Sequence, residues 1–169
     1  MKIAIVGAGA AGCFCAIELK RRLPSVSVDV YEAGPKALAK VAITGGGRCN
    51  LTNSFEGITS LSQAYPRGDR LMKRLFKSFD HHDTCRWFEN EGVHLVLQED
   101  RCVFPASQDA MEIVGTLLLR MRQEGVVLHC RHKVREYRSA KKEDSSSASL
   151  RPPVLEKSHV RTLPRTSLW

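Results

Sequence analysis

Two glycine-rich stretches and one carboxylate carry the chemistry in this sequence. The first is Gly7-Ala8-Gly9-Ala10-Ala11-Gly12, a G-x-G-x-x-G pattern that opens a helix in nucleotide-binding turns. Gly7 permits the tight turn, Gly9 lets a pyrophosphate approach the backbone, and Gly12 lets helix and strand pack closely. Glu32 follows Gly12 by 20 residues, where a carboxylate accepts hydrogen bonds from ribose hydroxyls. An ionised glutamate suits an unphosphorylated ribose and disfavours a 2′-phosphate. The second stretch, ITGGGRCNLTN over residues 43–53, sets three consecutive glycines against an arginine. Glycines in a row cost folding entropy, so a close backbone approach has to compensate. Their successive N–H groups can form an anion-accepting nest, and Arg48 adds a planar, permanently charged donor. A plain surface loop is the alternative reading.

These residues need a frame. KIAIV (2–6) is a short apolar run that predicts a strand buried on both faces. The stretch through Arg22 reads as a helix with cations at its C-terminal end, stopped by Pro24. VSVDVY (26–31) predicts a second strand, with Glu32 directly after it. Strand, glycine turn, helix, strand and acid together make a far stronger signal than the glycines alone.

Further on, residues 68–80 place Leu71, Met72, Leu75, Phe76 and Phe79 at helical spacing with Lys and Arg between them. Asp80 predicts the cap of a helix through Trp87, Phe88 and Asn90, ended by Gly92. His81 or His82 with Cys85 has the spacing of two metal ligands, but no third ligand is evident, so solvated histidines are expected. Residues 94–98 and 101–104 read as two short strands around Glu99-Asp100. Ser107 is the expected N-cap of a helix carrying Ala110, Val114, Leu117, Leu118 and Met121 and ending near Gly125. VVLHC (126–130) is expected as a buried strand, which completes a strand–helix–strand rhythm.

Composition narrows the class. The chain has 169 residues, enough for one domain with a real core, and 43% hydrophobic residues. The net charge of +8 is uneven: residues 131–169 carry +6 and the first 130 only +2. The basic balance therefore describes a tail and does not call for a nucleic-acid surface on the folded part. Six cysteines include no C-x-x-C pair, which speaks against a dithiol redox motif or zinc ribbon and fits a reducing cytosol. The N-terminal run before Cys13 is too short and too glycine-rich for an export signal, and no segment reaches membrane-span length. Cys49 beside Arg48 is either a reactive thiol or a small buried side chain.

Taken together, GAGAAG, Glu32 and K-x-x-ITGGGRCNLTN from Lys40 resemble the bacterial YhiN/BaiN-like FAD-dependent flavoproteins, which include aminoacetone-oxidase-type members. The resemblance continues through YPRG (65–68), VFPASQDAMEIV (103–114) and the strand ending at Val134. It implies an α/β, Rossmann-type FAD-binding domain with a parallel sheet over residues 1–134. Gly7, Gly9, Gly12 and Glu32 would hold the ADP half. Lys40, Thr44, Gly45, Gly46, Gly47, Arg48, Cys49 and Asn50 would border the pyrophosphate and isoalloxazine. Val134 would end the third parallel strand near the adenine. FAD is the implied cofactor, NAD(P)H the implied electron donor, and a small molecule the substrate. Where the family has a glycine–arginine pair before VFP, this chain has Arg101-Cys102.

After Val134 the sequence becomes serine-rich, charged and proline-interrupted, with disorder expected over 135–169. Family members are considerably longer, so the chain reads as the front part of a flavoprotein in which the ring half of the site is exposed. Two other readings stand beside it. One is a non-catalytic module holding the ADP half of FAD; the other is a binder of anionic partners working through the tail.

Overall fold

The structure is a computed structural model and describes residues 1–136. The tail expected to be disordered lies almost wholly outside them. Strand β1 (Lys2–Val6) runs into helix α1 (Ala10–Arg22) and strand β2 (Ser27–Tyr31). Val41–Gly47 is two short helical turns joined across a kink, with non-helical backbone at Thr44, Gly45 and Gly46, and it precedes strand β3 (Thr52–Asn53). Helices α2 (Leu61–Ala64), α3 (Asp69–Phe76) and α4 (His81–Asn90) come next, then strands β4 (Leu95–Leu97) and β5 (Cys102–Pro105). Helix α5 (Ala110–Gln123) and strand β6 (Val127–His129) complete the described part. No described helix is long and apolar enough to cross a membrane.

The strands form two sheets: a parallel one in the order β1-β2-β6, and an antiparallel one in the order β3-β5-β4. In the parallel sheet Val30 pairs with Ile5 on one side and Leu128 on the other. Helices α1 and α5 pack on one face. Cys13, Ala16 and Ile17 of α1 and Ala110, Ile113, Val114, Leu117 and Met121 of α5 meet Val28 and Val30 in the core. The α5 spacing is the i, i+3, i+4, i+7 stripe of a core-facing helix.

The other face is bare among the described residues, which corrects the expectation of strands buried on both sides. Lys2, Ala4 and Val6 are exposed, as is Val127, while Leu128 and His129 are half-buried. Asp29, Tyr31 and His129 share this face; His129 Nε2 lies 2.6 Å from Asp29 Oδ1, and the Tyr31 and His129 rings stack at 4.6 Å. The outer edge of β1 is open too. Met1 C=O and Gly7 N–H bond to β2, so the backbone groups of Lys2, Ala4 and Val6 point the other way.

Helix ends follow local chemistry. Lys20 Nζ donates to the carbonyls of Pro24 (2.8 Å) and Val26 (3.0 Å), which ties down the turn after α1. Asp80 and Asp83 form a reciprocal capping box at the start of α4, and Gly92 at φ +89° ends it, both as expected. The α5 cap differs from expectation: Asp109, not Ser107, accepts the Met111 N–H. Ser107 Oγ instead accepts from Asp109 N–H at 3.3 Å and bonds Glu112.

One charge cluster ties three helices together. Glu91, just past α4, binds Arg21 of α1 at 2.7 Å and Arg120 of α5, and Arg21 Nε also reaches Glu124 at 2.9 Å. The Glu91 side chain is only 8% exposed, so screening by water is limited. Burial pushes its carboxyl up, but the hydrogen bonds and charges of Arg21 and Arg120 outweigh burial, and the net shift is downward. A carboxyl lowered by folding stabilises above its unfolded value and loses that contribution as pH falls through the folded value. Glu91→Gln is therefore expected to cost about 1–3 kcal/mol near neutral pH. The wild-type advantage should shrink below about pH 4. Urea unfolding of both proteins at neutral and acidic pH checks this; an advantage that does not change with pH would contradict it.

Candidate functional site

The first half of the site is built by the end of β1. Gly7 takes φ +99°, a conformation side chains rarely adopt, and its N–H bonds Tyr31 C=O at 2.8 Å. A Cβ on Gly12 would lie 2.0 Å from Gly7 O, so α1 approaches the turn as closely as glycine alone allows. Gly9 is the N-cap of α1 and has open space where a Cβ would stand. The helix start has no side-chain cap and no acidic residue in its first turn. Its leading N–H groups lack intrahelical acceptors, and the dipole end is positive, so an anion is the complementary ligand.

Glu32 stands beside this opening. Its Oε2 accepts Ala8 N–H at 2.9 Å and its Oε1 accepts Gly34 N–H at 2.7 Å. Those donors, with smaller contributions from Ala33 N–H and the Lys40 charge, hold its carboxyl below the usual carboxylate range against the effect of burial. Each oxygen keeps a lone pair for a further donor, as a ribose diol requires. Behind α1's first turn, burial, reinforced by the negative charges of Glu32 and Cys130, pushes the Cys13 thiol up to about 11.

The second half hangs from the first. Leu38, fully buried at φ +57°, donates its N–H to Ala8 C=O at 2.7 Å and accepts from Ala42 N–H. This fixes where Val41–Gly47 begins. Gly45, Gly46 and Gly47 all take positive φ, between +56° and +85°. A Cβ on Gly45 would meet Asn50 N at 2.9 Å and Phe104 Cε1 at 3.0 Å, so Gly45 is where the run touches β5. Gly46 and Gly47 face open space.

The amide groups are only partly available for an anion. Arg48 N–H and Cys49 N–H are turned inward to Gly45 C=O (3.4 Å) and Thr44 C=O (3.0 Å). Thr44 Oγ1 donates to Val41 C=O. Arg48 is exposed, its guanidinium 4.5 Å from the Phe104 ring centroid, with Nε donating to Gly45 C=O at 3.2 Å. Lys40 is exposed near Glu32 without a hydrogen bond to it among the described residues. Asn50 Nδ2 reaches Cys102 Sγ at 3.1 Å, which brings Cys102, of the Arg101-Cys102 pair before VFP, to the edge of the run. Burial pushes the Cys49 thiol up and outweighs a hydrogen bond with Thr44, which favours the small buried side chain over the reactive thiol.

Two expectations change. The third parallel strand ends at His129, not at Val134, because Arg131 takes φ +61° and breaks the ladder. Past the break, Arg131 N–H and His132 N–H bond Gly34 C=O and Glu32 C=O, both at 2.8 Å, and Val134 is 39% exposed. The residues beside Glu32 are thus Arg131 and His132, which a repeat of apolar residues could not reveal. The second change concerns His81, which is not solvated. Both of its ring nitrogens are buried without a partner, the ring lies 5.1 Å from Phe55, and burial lowers its basicity. No metal-ligand cluster is present among the described residues.

Two outcomes follow from this geometry. Gly45→Ala, strained in φ and in contact, is expected to destabilise by about 2 kcal/mol or more. Gly46→Ala, strained in φ alone, should cost about 1 kcal/mol. Equal melting temperatures for the two variants would refute the packing role of Gly45. With iodoacetamide near neutral pH, Cys49 should label more slowly than a free thiol and after the exposed Cys15. Peptide mapping would show the order.

Known proteins resemble this chain in sequence. The family model of the HI0933-like protein Rossmann domain matches residues 1–153. The 3-dehydro-bile acid delta(4,6)-reductase of Clostridium scindens is 26% identical over 128 residues, covering 76% of this chain and 30% of that protein. The ribosomal RNA dihydrouridine synthase of Haemophilus influenzae is 49% identical over 49 residues, 29% of this chain and 12% of that protein. The crystal structure of Thermovibrio ammonificans THI4 superposes with a TM-score of 0.48 at 13% identity, over 76% of this chain and 38% of that one. The chain thus spans less than a third of the length of these two sequence relatives. With the glycine turn, the parallel strands and nine-tenths of its length matched, the chain belongs to the HI0933-like Rossmann-domain family.

Proposed function

We propose that the chain forms the FAD-binding part of a flavin-dependent oxidoreductase that adds two hydrogens across a carbon–carbon double bond. The observation that carries this reading is a pair of glycine-built openings joined by one hydrogen-bonded path. One lies over the uncapped start of α1 and the other along Gly46–Gly47, with Ala8 and Leu38 between them. Gly7, Gly9, Gly12 and Glu32 would hold the ADP half, with Arg131 and His132 alongside. Lys40, Thr44, Gly45, Gly46, Gly47, Arg48, Cys49 and Asn50 would border the rest. FAD, when bound, supplies the hydride chemistry. The protein's part is to bind diphosphate at α1, orient the ribose through Glu32, and keep Arg48 stacked on Phe104 as a fixed positive charge.

The reaction class comes from the relatives' names. A delta(4,6)-reductase and a dihydrouridine synthase both describe hydrogen added across a carbon–carbon double bond. NAD(P)H is the proposed electron donor and a small molecule the proposed substrate.

One observation favours a second reading, a non-catalytic module that holds the ADP half alone. The amides of Arg48 and Cys49 are satisfied internally, so among the described residues the ring half offers fewer free donors than the ADP half.

The visible spectrum of the purified chain, titrated with FAD and then with ADP as competitor, separates the two. A perturbed flavin spectrum, with FAD held at least tenfold more tightly than ADP, is expected. Equal affinities would establish the second reading instead. Gly9→Val, which fills the open space over α1, should lower FAD affinity about tenfold or more while circular dichroism stays unchanged.

A further inference from the structure

Helix α3 carries a signal that the glycine openings do not use. None of its residues is buried. At about 100° per residue, its positions fall into three sectors. Arg70, Lys73, Arg74 and, at the C-cap, Lys77 share one arc of about 100°. Leu71 and Leu75, one turn apart, occupy the next arc. Met72, Phe76 and, past the helix end, Phe79 occupy the third. That third sector is turned to the protein: Phe76 packs edge-on against Phe55 at 5.5 Å, and Phe79 packs against Phe14 at 5.3 Å. The other two sectors face solvent. All four cations are exposed, Leu71 and Leu75 are 50% and 51% exposed, and Arg67, exposed just before the helix, adds a fifth charge.

No salt bridge joins these five cations to a carboxylate among the described residues. The single acid in residues 67–77, Asp69, sits in the first turn of α3, where it complements the helix dipole. An apolar ridge thus runs beside a row of unneutralised positive charge. A stable protein interface takes about 800 Å² from each partner and has few charges at its centre, whereas this surface is charged along its length. A second copy of the chain would bring two like-charged rows together. An anionic bilayer takes both features at once and needs no matched pockets. Shallow burial of the leucines and attraction of the cations to acidic headgroups add. The Lys and Arg stems are long enough to lie along the apolar ridge while their charged ends stay at the level of the phosphates.

We infer that the exposed side of α3, with Leu71 and Leu75 inserted and the cations of residues 67–77 on the headgroups, docks this protein on an anionic lipid surface. The helix lies in the interface and does not cross it, in keeping with its eight residues. The surface stands apart from the flavin reading and would survive its failure.

The test is sedimentation of the full chain with phosphatidylcholine vesicles, with and without about one-third phosphatidylserine. Two variants are compared, Leu71→Gln with Leu75→Gln, and Arg70→Gln with Lys73→Gln, Arg74→Gln and Lys77→Gln. All six positions are exposed, and circular dichroism verifies that both variants fold. The wild type is expected to bind the phosphatidylserine vesicles at least tenfold more tightly than phosphatidylcholine alone, and each variant to lose about tenfold or more. Wild-type affinity in the leucine variant would overturn the assignment, because the attraction would then be one of charge only. Wild-type affinity in the charge variant would overturn it too and place binding on the basic residues after position 130. Absence of binding by the wild type, or tighter binding to a labelled oligouridylate than to the vesicles, would overturn it as well.

Discussion

A side-chain carbon at position 12 would stand 2.0 Å from the carbonyl oxygen of Gly7, so the start of α1 and the end of β1 can meet only because that carbon is absent. Much of the site inherits its position from this contact. The close approach sets where α1 begins, and with it the direction of the uncapped amide groups. It also sets Ala8, whose N–H goes to Glu32 and whose C=O takes the N–H of Leu38. From Leu38 the chain enters Val41–Gly47, and Gly45 then abuts Phe104 of the second sheet. One short hydrogen-bonded path thus aligns two glycine stretches more than thirty residues apart.

Magnitudes decide which contacts hold that path. Leu38 sits in a left-handed conformation that costs about 1 kcal/mol for a side-chain-bearing residue. Its complete burial contributes about 1.5–3 kcal/mol and outweighs the strain. Arg48 offers a similar choice. Its contacts to the Gln98 and Gln108 side-chain oxygens are 3.4 Å, at the far end of useful hydrogen bonding. Stacking on Phe104 at 4.5 Å, with the 3.2 Å bond to Gly45, is what fixes the guanidinium. The arginine therefore serves first to fasten the glycine run to β5.

The parts that could be read from sequence are those governed by neighbouring residues. The first strand–turn–helix–strand unit, the Asp80 cap, the Gly92 stop and the hairpin around Glu99-Asp100 all rest on spacings of a few positions. What escaped depends on partners far along the chain. Asp29 and His129 meet across 100 residues, and β3 is only two residues long, defined by pairing with β5 rather than by its own pattern. Ser107 and Asp109 are both good caps; burial of Ala110 and Ile113 sets the helix phase that selects the residue immediately before Ala110. The early end of β6 follows from a left-handed arginine, a conformation that composition does not announce.

The position of β6 bears on the order of assembly. β1 and β2 are joined through one short helix and can pair as soon as the first few dozen residues are available. β6 comes from almost a hundred residues further on, so its pairing with Asp29–Tyr31 closes a long loop. The backbone of Glu32 is fastened from that side by His129 C=O and His132 N–H. The carboxylate of Glu32 is held by nearby Ala8 and Gly34, whereas its backbone gains its β6 partners only when that long loop closes. Kinetically, competence to hold a ribose would be one of the last properties this fold acquires.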